Sequence, residues 1–221
     1  MGHINGVIKL VETQSQIMNR IVESLAEHLN RAFNTAVPQI QTRVRNVVRE
    51  AILNSPEYTA LTTGLLQGQL GVEHPESDFE GILDIWINSI VARSLGVSHN
   101  GRNLTGGIQI VGIQGDYTDV LSSPFASYVS LPSTSTIEWL KWLLISGNSI
   151  IVRKYYFKSA NSLETRLSRT GLGLMRASKT GTFRVPAEYA GTVNDNFVTR
   201  SLSSVVDQIE EIIIREVENS I

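Results

Sequence analysis

The hydrophobic pattern of this chain changes period twice, and those two changes constrain its fold more than anything else in it. Up to residue 96 apolar side chains recur every three or four positions, the spacing of one helix face. From 97 to 194 glycine-rich turns separate short β-branched and alternating runs, and from 195 to 221 the helical spacing returns. The pattern predicts a single α+β domain over 1–221. It has a helical part (1–96), a β-rich part (97–194) and a C-terminal helix (195–221). The expected architecture is N-terminal helices, a small antiparallel β-sheet or sandwich with an intervening helix, and a long C-terminal helix.

Residues 7–34 read as one helix, with Met18, Ile21, Val22, Leu25, Leu29 and Phe33 on a buried face. Pro38 fits the first turn of a second helix, where its missing N–H costs nothing, and Val37, Ile40, Val44, Val47, Val48, Ala51 and Ile52 give its stripe. Ser55 and Pro56 are N-cap and N1 of a short third helix, which Gly64, Gly68 and Gly71 break. A fourth helix is expected from a cap at Ser77 or Asp78, with Ile82, Ile85, Trp86, Ile90 and Val91 inward and Gly96 as its C′ residue.

Beyond it, Gly106 to Gly115, Phe125 to Leu131 and Ile150 to Phe157 read as strands. Residues 136–146 read as a short buried helix, capped by Thr136 and stopped by Gly147. Residues 158–170 read as a polar loop. Leu172–Arg176 and Thr182–Val185 are expected to form a hairpin around Ser178-Lys179-Thr180-Gly181. Asp195 or Asn196 caps the last helix, whose stripe is Val198, Leu202, Val205, Val206, Ile209, Ile212, Ile213 and Val217.

Composition narrows the class. Apolar residues make up 42% of 221 and charged residues 18%, enough for one sizeable core. The absence of cysteine excludes disulfides and thiolate metal sites. No apolar run approaches the ~20 residues of a membrane helix, and the start of the chain lacks a signal-peptide pattern. Together these features read as a protein made and used in a cytoplasm, away from membranes.

Charge is banded. Residues 55–93 carry six acids against Arg93: Glu57, Glu73, Glu76, Asp78, Glu80 and Asp84. Residues 153–184 carry eight bases against Glu164: Arg153, Lys154, Lys158, Arg166, Arg169, Arg176, Lys179 and Arg184. Residues 185–221 are again acidic, while the whole chain is only −2. Two readings fit this banding. The bands are solvated faces within one subunit, or they meet head to tail between copies, as in rings. Tyr155, Tyr156 and Phe157 interleave with the basic band, which is also the composition of a nucleic-acid surface. A half-buried strand following Ile150-Ile151-Val152 explains those aromatics more simply.

No catalytic constellation stands out. His3, His28, His74 and His99 have no metal-ligand spacing, and Gly96-x-Ser98-x-Asn100 misses the nucleophile elbow. Gly171-x-Gly173 lacks the third glycine of a dinucleotide fingerprint. Asp116 and Asp119 fit a capped turn better than a calcium loop. Trp86, Trp139 and Trp142 read as core anchors. No catalytic or metal-ligating residue and no cofactor is expected.

Three segments resemble tail-completion and head–tail connector (neck) proteins of tailed bacteriophages. These are Ser168-Arg169-Thr170-Gly171-Leu172-Gly173-Leu174-Met175, then Phe183-Arg184-Val185-Pro186, and Gly191 through Leu202 with Phe197-Val198-Thr199-Arg200-Ser201-Leu202. Ser55-Pro56-Glu57-Tyr58-x-x-Leu61-x-x-Gly64-x-Leu66-x-Gly68 is similar to a recurring phage virion segment. The resemblance implies a non-enzymatic structural part of the virion, assembled in the host cytoplasm. Its partners are copies of itself in a ring, portal or adaptor and tail proteins, and DNA passing through the lumen without sequence-specific binding. The helical part before the sheet is longer than in compact members of that family, which leaves other tail or baseplate parts as an alternative. Two further classes stay open. One is a small hydrolase using Asp116, Asp119, His99 or the basic loop; the other is a nucleic-acid-binding module using residues 153–184.

Overall fold

A computed structural model describes residues 12–113, 115–130, 135–147, 149–159, 168 and 170–221. The protein is α+β, with N-terminal helices, small antiparallel sheets with helices between them, and C-terminal helices. Eight helices and six strands follow one another among the described residues: α1 (Gln14–Leu53), α2 (Pro56–Thr62), α3 (Leu65–Leu70), α4 (Pro75–Ser89), β1 (Val91–Asn100), β2 (Asn103–Val111), α5 (Thr118–Leu121), β3 (Tyr128–Ser130), β4 (Ser135–Ile137), α6 (Trp139–Leu144), β5 (Val152–Ser159), β6 (Gly173–Phe183), α7 (Phe197–Ser204) and α8 (Val206–Glu218). Among the described residues the strands form three two-stranded sheets, β1–β2, β3–β4 and β5–β6.

The chain divides into two compact units. The first comprises the described residues of Met1–Gln41 with Ala92–Ile110 and Ile212–Ile221; the second comprises Thr42–Val91 and Val111–Glu211.

Among the described residues of the first unit the buried apolar ones are Val22, Ala26, Ala32, Ala36, Ile40 and Ala92, four of them alanines. Two amides of α1 stand in for a neighbouring strand. The Asn30 side chain donates to the Val97 carbonyl (2.9 Å) and accepts from its N–H (2.6 Å), and Gln41 Oε1 accepts from the Ala92 N–H (3.0 Å). Backbone groups along β1 are thereby satisfied without a third strand. Gly96 beside this clamp has φ +75°, a left-handed conformation that a side chain would strain.

The second unit holds the larger core. Phe79 and Trp86 of α4 meet Tyr58 of α2 and Phe197 of α7, with ring centroids 4.9–6.5 Å apart and mostly edge-on. Val44, Val48 and Ile52 of α1 are buried at four-residue spacing, and Leu61, Ile82, Leu83, Trp139, Leu140, Leu143 and Leu144 on other helices are buried with them. Ser55 caps α2, its hydroxyl accepting from the Tyr58 N–H, and Gly71 ends α3 in the left-handed conformation.

Several sequence expectations are corrected. Pro38 does not start a helix; it lies inside α1, which is continuous over 40 residues. Pro38 and Asn34, whose carbonyl loses its usual partner, are both solvent-exposed, so water can take that carbonyl. His74 and Pro75, not Ser77 or Asp78, begin α4, since proline at N1 presets the helical φ. That helix stops at Ser89. Ile90 is buried in extended backbone, whereas Val91 is an exposed strand residue and Gly96 a distortion within β1. The strand expected at Gly106–Gly115 is Asn103–Val111, and Thr136 lies in β4, leaving Glu138 to precede α6.

The expected hairpin at 172–185 is instead one strand, β6. Ser178-Lys179-Thr180-Gly181 does turn locally, with the Ser178 hydroxyl accepting from the Gly181 N–H (3.1 Å). The turn bulges opposite Lys154, because Arg153 pairs with Thr182 while Tyr155 pairs with Ala177. The last helix is two, interrupted at Val205. The loop expected at 158–170 lies mostly outside the described residues.

Candidate functional site

The basic band becomes the β5–β6 ribbon. Arg153, Lys154 and Lys158 lie on β5 and Arg176 and Lys179 on β6; Arg184 follows at once. All are exposed except the half-buried Arg176. Arg166 and Arg169 lie outside the described residues. Antiparallel register places Tyr156 opposite Arg176 and Lys158 opposite Leu174, which puts these four on one face. Tyr155 and Phe157 share the other face with Ala177 and Met175.

Both ends of the ribbon are anchored. At one end Phe183 is buried and its carbonyl accepts from the Ile151 N–H (2.9 Å). At the other, the Phe157 ring and Leu172 close on Gly68 of α3 so tightly that a Cβ there would sit 2.8 Å from the Leu172 Cβ. Between the anchors the tyrosines are in water: Tyr155 is 42% exposed and Tyr156 45%. The half-buried strand expected for these aromatics therefore holds for Phe157 alone.

The acidic band becomes the start and outer face of α4, with an internal countercharge that sequence reasoning missed. Arg49 of α1 pairs with both Glu80 and Asp84, the latter at 3.2 Å. Those two acids are therefore partly neutralised within the subunit. Glu73 and Glu76 are exposed, and Glu76 and Asp78 sit in the first turn of α4, where the helix dipole favours anions.

Asp78 is half-buried. Loss of hydration raises its pKa, and the nearby His74 offsets this in part. A raised carboxyl pKa means the folded state takes up the proton first, so charged Asp78 costs stability at neutral pH. That cost disappears as the pH falls through the raised pKa. An Asp78→Asn variant is expected to be at least as stable as the parent at pH 7 and to lose part of the gain on acidification, read from melting temperatures at pH 7 and pH 5.

Two polar clusters organise α7, one buried at Asn196 and one at the surface around the buried Glu57. Asn196 is fully buried. Its Oδ1 accepts from the N–H groups of Val198 and Thr199 (3.0 and 3.1 Å), while its Nδ2 donates to the carbonyls of Thr192 (2.8 Å) and Leu144 (3.2 Å) and to the Tyr117 hydroxyl (2.9 Å). Thr199 completes a capping box by accepting from the Asn196 N–H (2.9 Å). Burial raises the pKa of Tyr117 and the bond from Asn196 lowers it, with a net rise that keeps the phenol protonated.

Arg200, one turn on, pairs with Glu57 and with Asp195 (2.6 Å). Partial burial works against its charge, but bonds to Glu57 and Asp195 outweigh this and leave its pKa raised. Glu57, in the acidic band by sequence, is thus a buried internal partner.

The residues of the hydrolase alternative are placed as follows. Asp116 closes a turn by accepting from the Thr118 N–H and hydroxyl (3.3 and 3.1 Å), and Asp119 accepts from the Val120 N–H (2.8 Å). His99 is an exposed residue of β1. Trp86 and Trp139 are buried core residues, and Trp142 is half-buried. Among the described residues no group of three or more His, Asp or Glu is placed to hold a metal, and no helix is long and apolar enough to cross a membrane.

Comparison with protein-family models, with curated proteins and with solved structures finds no match to this chain.

Proposed function

We propose that this chain is a structural virion protein of a tailed phage. Copies of it form a ring at the head–tail junction, joining portal to tail and letting DNA pass. The observation that carries the reading is the apolar surface left on its long N-terminal helix. Ile21 and Leu25 of α1 are 55% and 45% exposed, although the sequence pattern places them on the same helix face as Val22 and Leu29. Side chains of this size in water on a regular helix are what a neighbouring copy removes, at roughly 25 cal/mol per Å² of apolar surface buried.

Further support comes from Leu95 on β1 and Ile214 on α8, both more than half exposed. An open strand edge adds to it: among the described residues β2 has a partner strand on one side only, and such an edge accepts another strand. The resemblance of the 168–202 segments to connector proteins supports a place at the head–tail junction, and the similarity of the 55–68 segment to a recurring phage virion segment supports a place in the virion.

The test is quantitative mass spectrometry of purified particles separated into head and tail fractions. The chain is expected in mature virions at a fixed multiple of the portal copy number. Its absence from mature particles would end the proposal.

A further inference from the structure

We infer that the β5–β6 ribbon is a binding platform for single-stranded nucleic acid, held through its phosphates and stacked bases without regard to sequence. The first ground is charge. Its two strands carry Arg153, Lys154, Lys158, Arg176 and Lys179 and no carboxylate, and Arg184 follows directly, in a chain that is net negative overall. A cationic strip of this kind on an otherwise acidic protein is complementary to a polyanion.

The second ground is the exposure of Tyr155 and Tyr156. Successive strand residues face opposite sides, so one ring is presented on each face. Tyr156 has Arg176 directly opposite and Lys158 two positions along on the same face. That places a ring for a base beside cations, the recurring pattern of single-strand surfaces. Ala177 opposite Tyr155 leaves room beside the second ring.

The third ground is rigidity. The buried Phe183 at one end and the Phe157–Gly68 contact at the other fix the platform before any ligand arrives.

Other occupants fit the ribbon less well. Like charges on both strands, and a bulge at Lys154, oppose edge-to-edge pairing with a second copy of the same ribbon. The acidic face of another copy is a weaker complement, because Arg49 already takes two of its carboxylates. Duplex DNA satisfies the cations but hides the base faces that the tyrosines would stack on. This inference does not rest on the ring proposal; oligonucleotide binding and ring formation are read in separate experiments.

The experiment is fluorescence anisotropy of the full chain with a labelled 20-nucleotide oligo-dT and with a blunt duplex of the same length. Oligo-dT is expected to bind at 50 mM salt. Affinity should fall about 50-fold by 200 mM if four phosphates are neutralised, from a slope of roughly −0.7 per phosphate. Arg153→Glu with Lys158→Glu on β5, and separately Lys179→Glu on β6, should each weaken binding tenfold or more. Tyr155→Ser with Tyr156→Ser should weaken it at least tenfold for oligo-dT and much less for duplex. No oligo-dT binding at 50 mM, binding unmoved by the charge reversals, or duplex preferred with the tyrosines irrelevant would overturn the inference. So would displacement of oligo-dT by polyglutamate at equal charge, which would mark the ribbon as a site for acidic protein. Circular dichroism melts of each variant within a few degrees of the parent separate loss of binding from loss of fold.

Discussion

Replacing Asn196 with alanine lowers the unfolding free energy by about 3–5 kcal/mol, the largest expected effect of any polar substitution here. Loss of an N-cap side chain alone costs ~1 kcal/mol, with a range of about 0.5–2. Alanine at 196 also strands the Leu144 carbonyl and the Tyr117 hydroxyl, and a buried polar group without a partner costs about 1–3 kcal/mol. Water has no ready route to restore those bonds, because Asn196 is fully buried and Tyr117 nearly so. Domains of this kind are stable by only about 5–15 kcal/mol, so the loss is a large share of the whole. Urea denaturation followed by tryptophan fluorescence reads it, since Trp86, Trp139 and Trp142 are all in the same unit. Asn196→Asp separates the two contributions. It keeps the acceptor for the Val198 and Thr199 N–H groups but loses the donor to Leu144, Thr192 and Tyr117 and buries a charge. It is expected to be clearly destabilised as well. A loss below about 1 kcal/mol for the alanine variant would show that α7 is held by its apolar face and not by this cluster.

The second large effect is at Phe79. Its ring touches those of Tyr58, Trp86 and Phe197 at centroid distances of 4.9, 6.5 and 5.8 Å, so it joins α2, α4 and α7. Phe79→Ala is expected to cost about 3–5 kcal/mol, the transfer energy of the ring plus the cavity it leaves. Phe79→Leu keeps most of the volume and should cost under about 1.5 kcal/mol if neighbours repack. The two urea midpoints, compared at constant m-value, decide it. Equal losses for alanine and leucine would mean that ring geometry, and not filled volume, holds this core together. Tryptophan emission should shift to longer wavelength in the alanine variant only, as water gains access to Trp86.

Much of the fold is legible in residue spacing because burial follows it. Val44, Val48 and Ile52 are buried as the helical period requires, Ser55-Pro56 starts α2, and Asn196 caps α7. The misreadings share a physical origin: local signals lost to long-range context. Pro38 looks like a helix start, yet α1 continues through it because the buried stripe runs on from Ala36 to Ile40 on the far side. Gly96 looks like a helix end, but what fixes it is Asn30, a residue 67 positions away from Val97, gripping the strand backbone. The turn at Ser178–Gly181 is real and bends a strand instead of ending it, because β5 reaches past it on both sides.

The charged surfaces were legible as bands and not as pairs. Composition places six acids in 55–93 and eight bases in 153–184. It gives no sign that Arg49 answers Glu80 and Asp84, or that Glu57 is buried against Arg200, 143 positions on. Exposure of Tyr155 and Tyr156 was likewise hidden, since a strand rich in aromatics reads as half-buried until its neighbours are known.

Assembly is the claim on which the functional reading stands, and mass photometry of the purified full chain, with electron-microscopy class averages of the same sample, tests it most directly. Closed rings of one discrete copy number are expected, and Ile21→Glu with Leu25→Glu on the exposed face of α1 should shift the sample toward single subunits without lowering its helix content. A parent protein that stays monomeric across the micromolar range, or rings indifferent to those two substitutions, would contradict it.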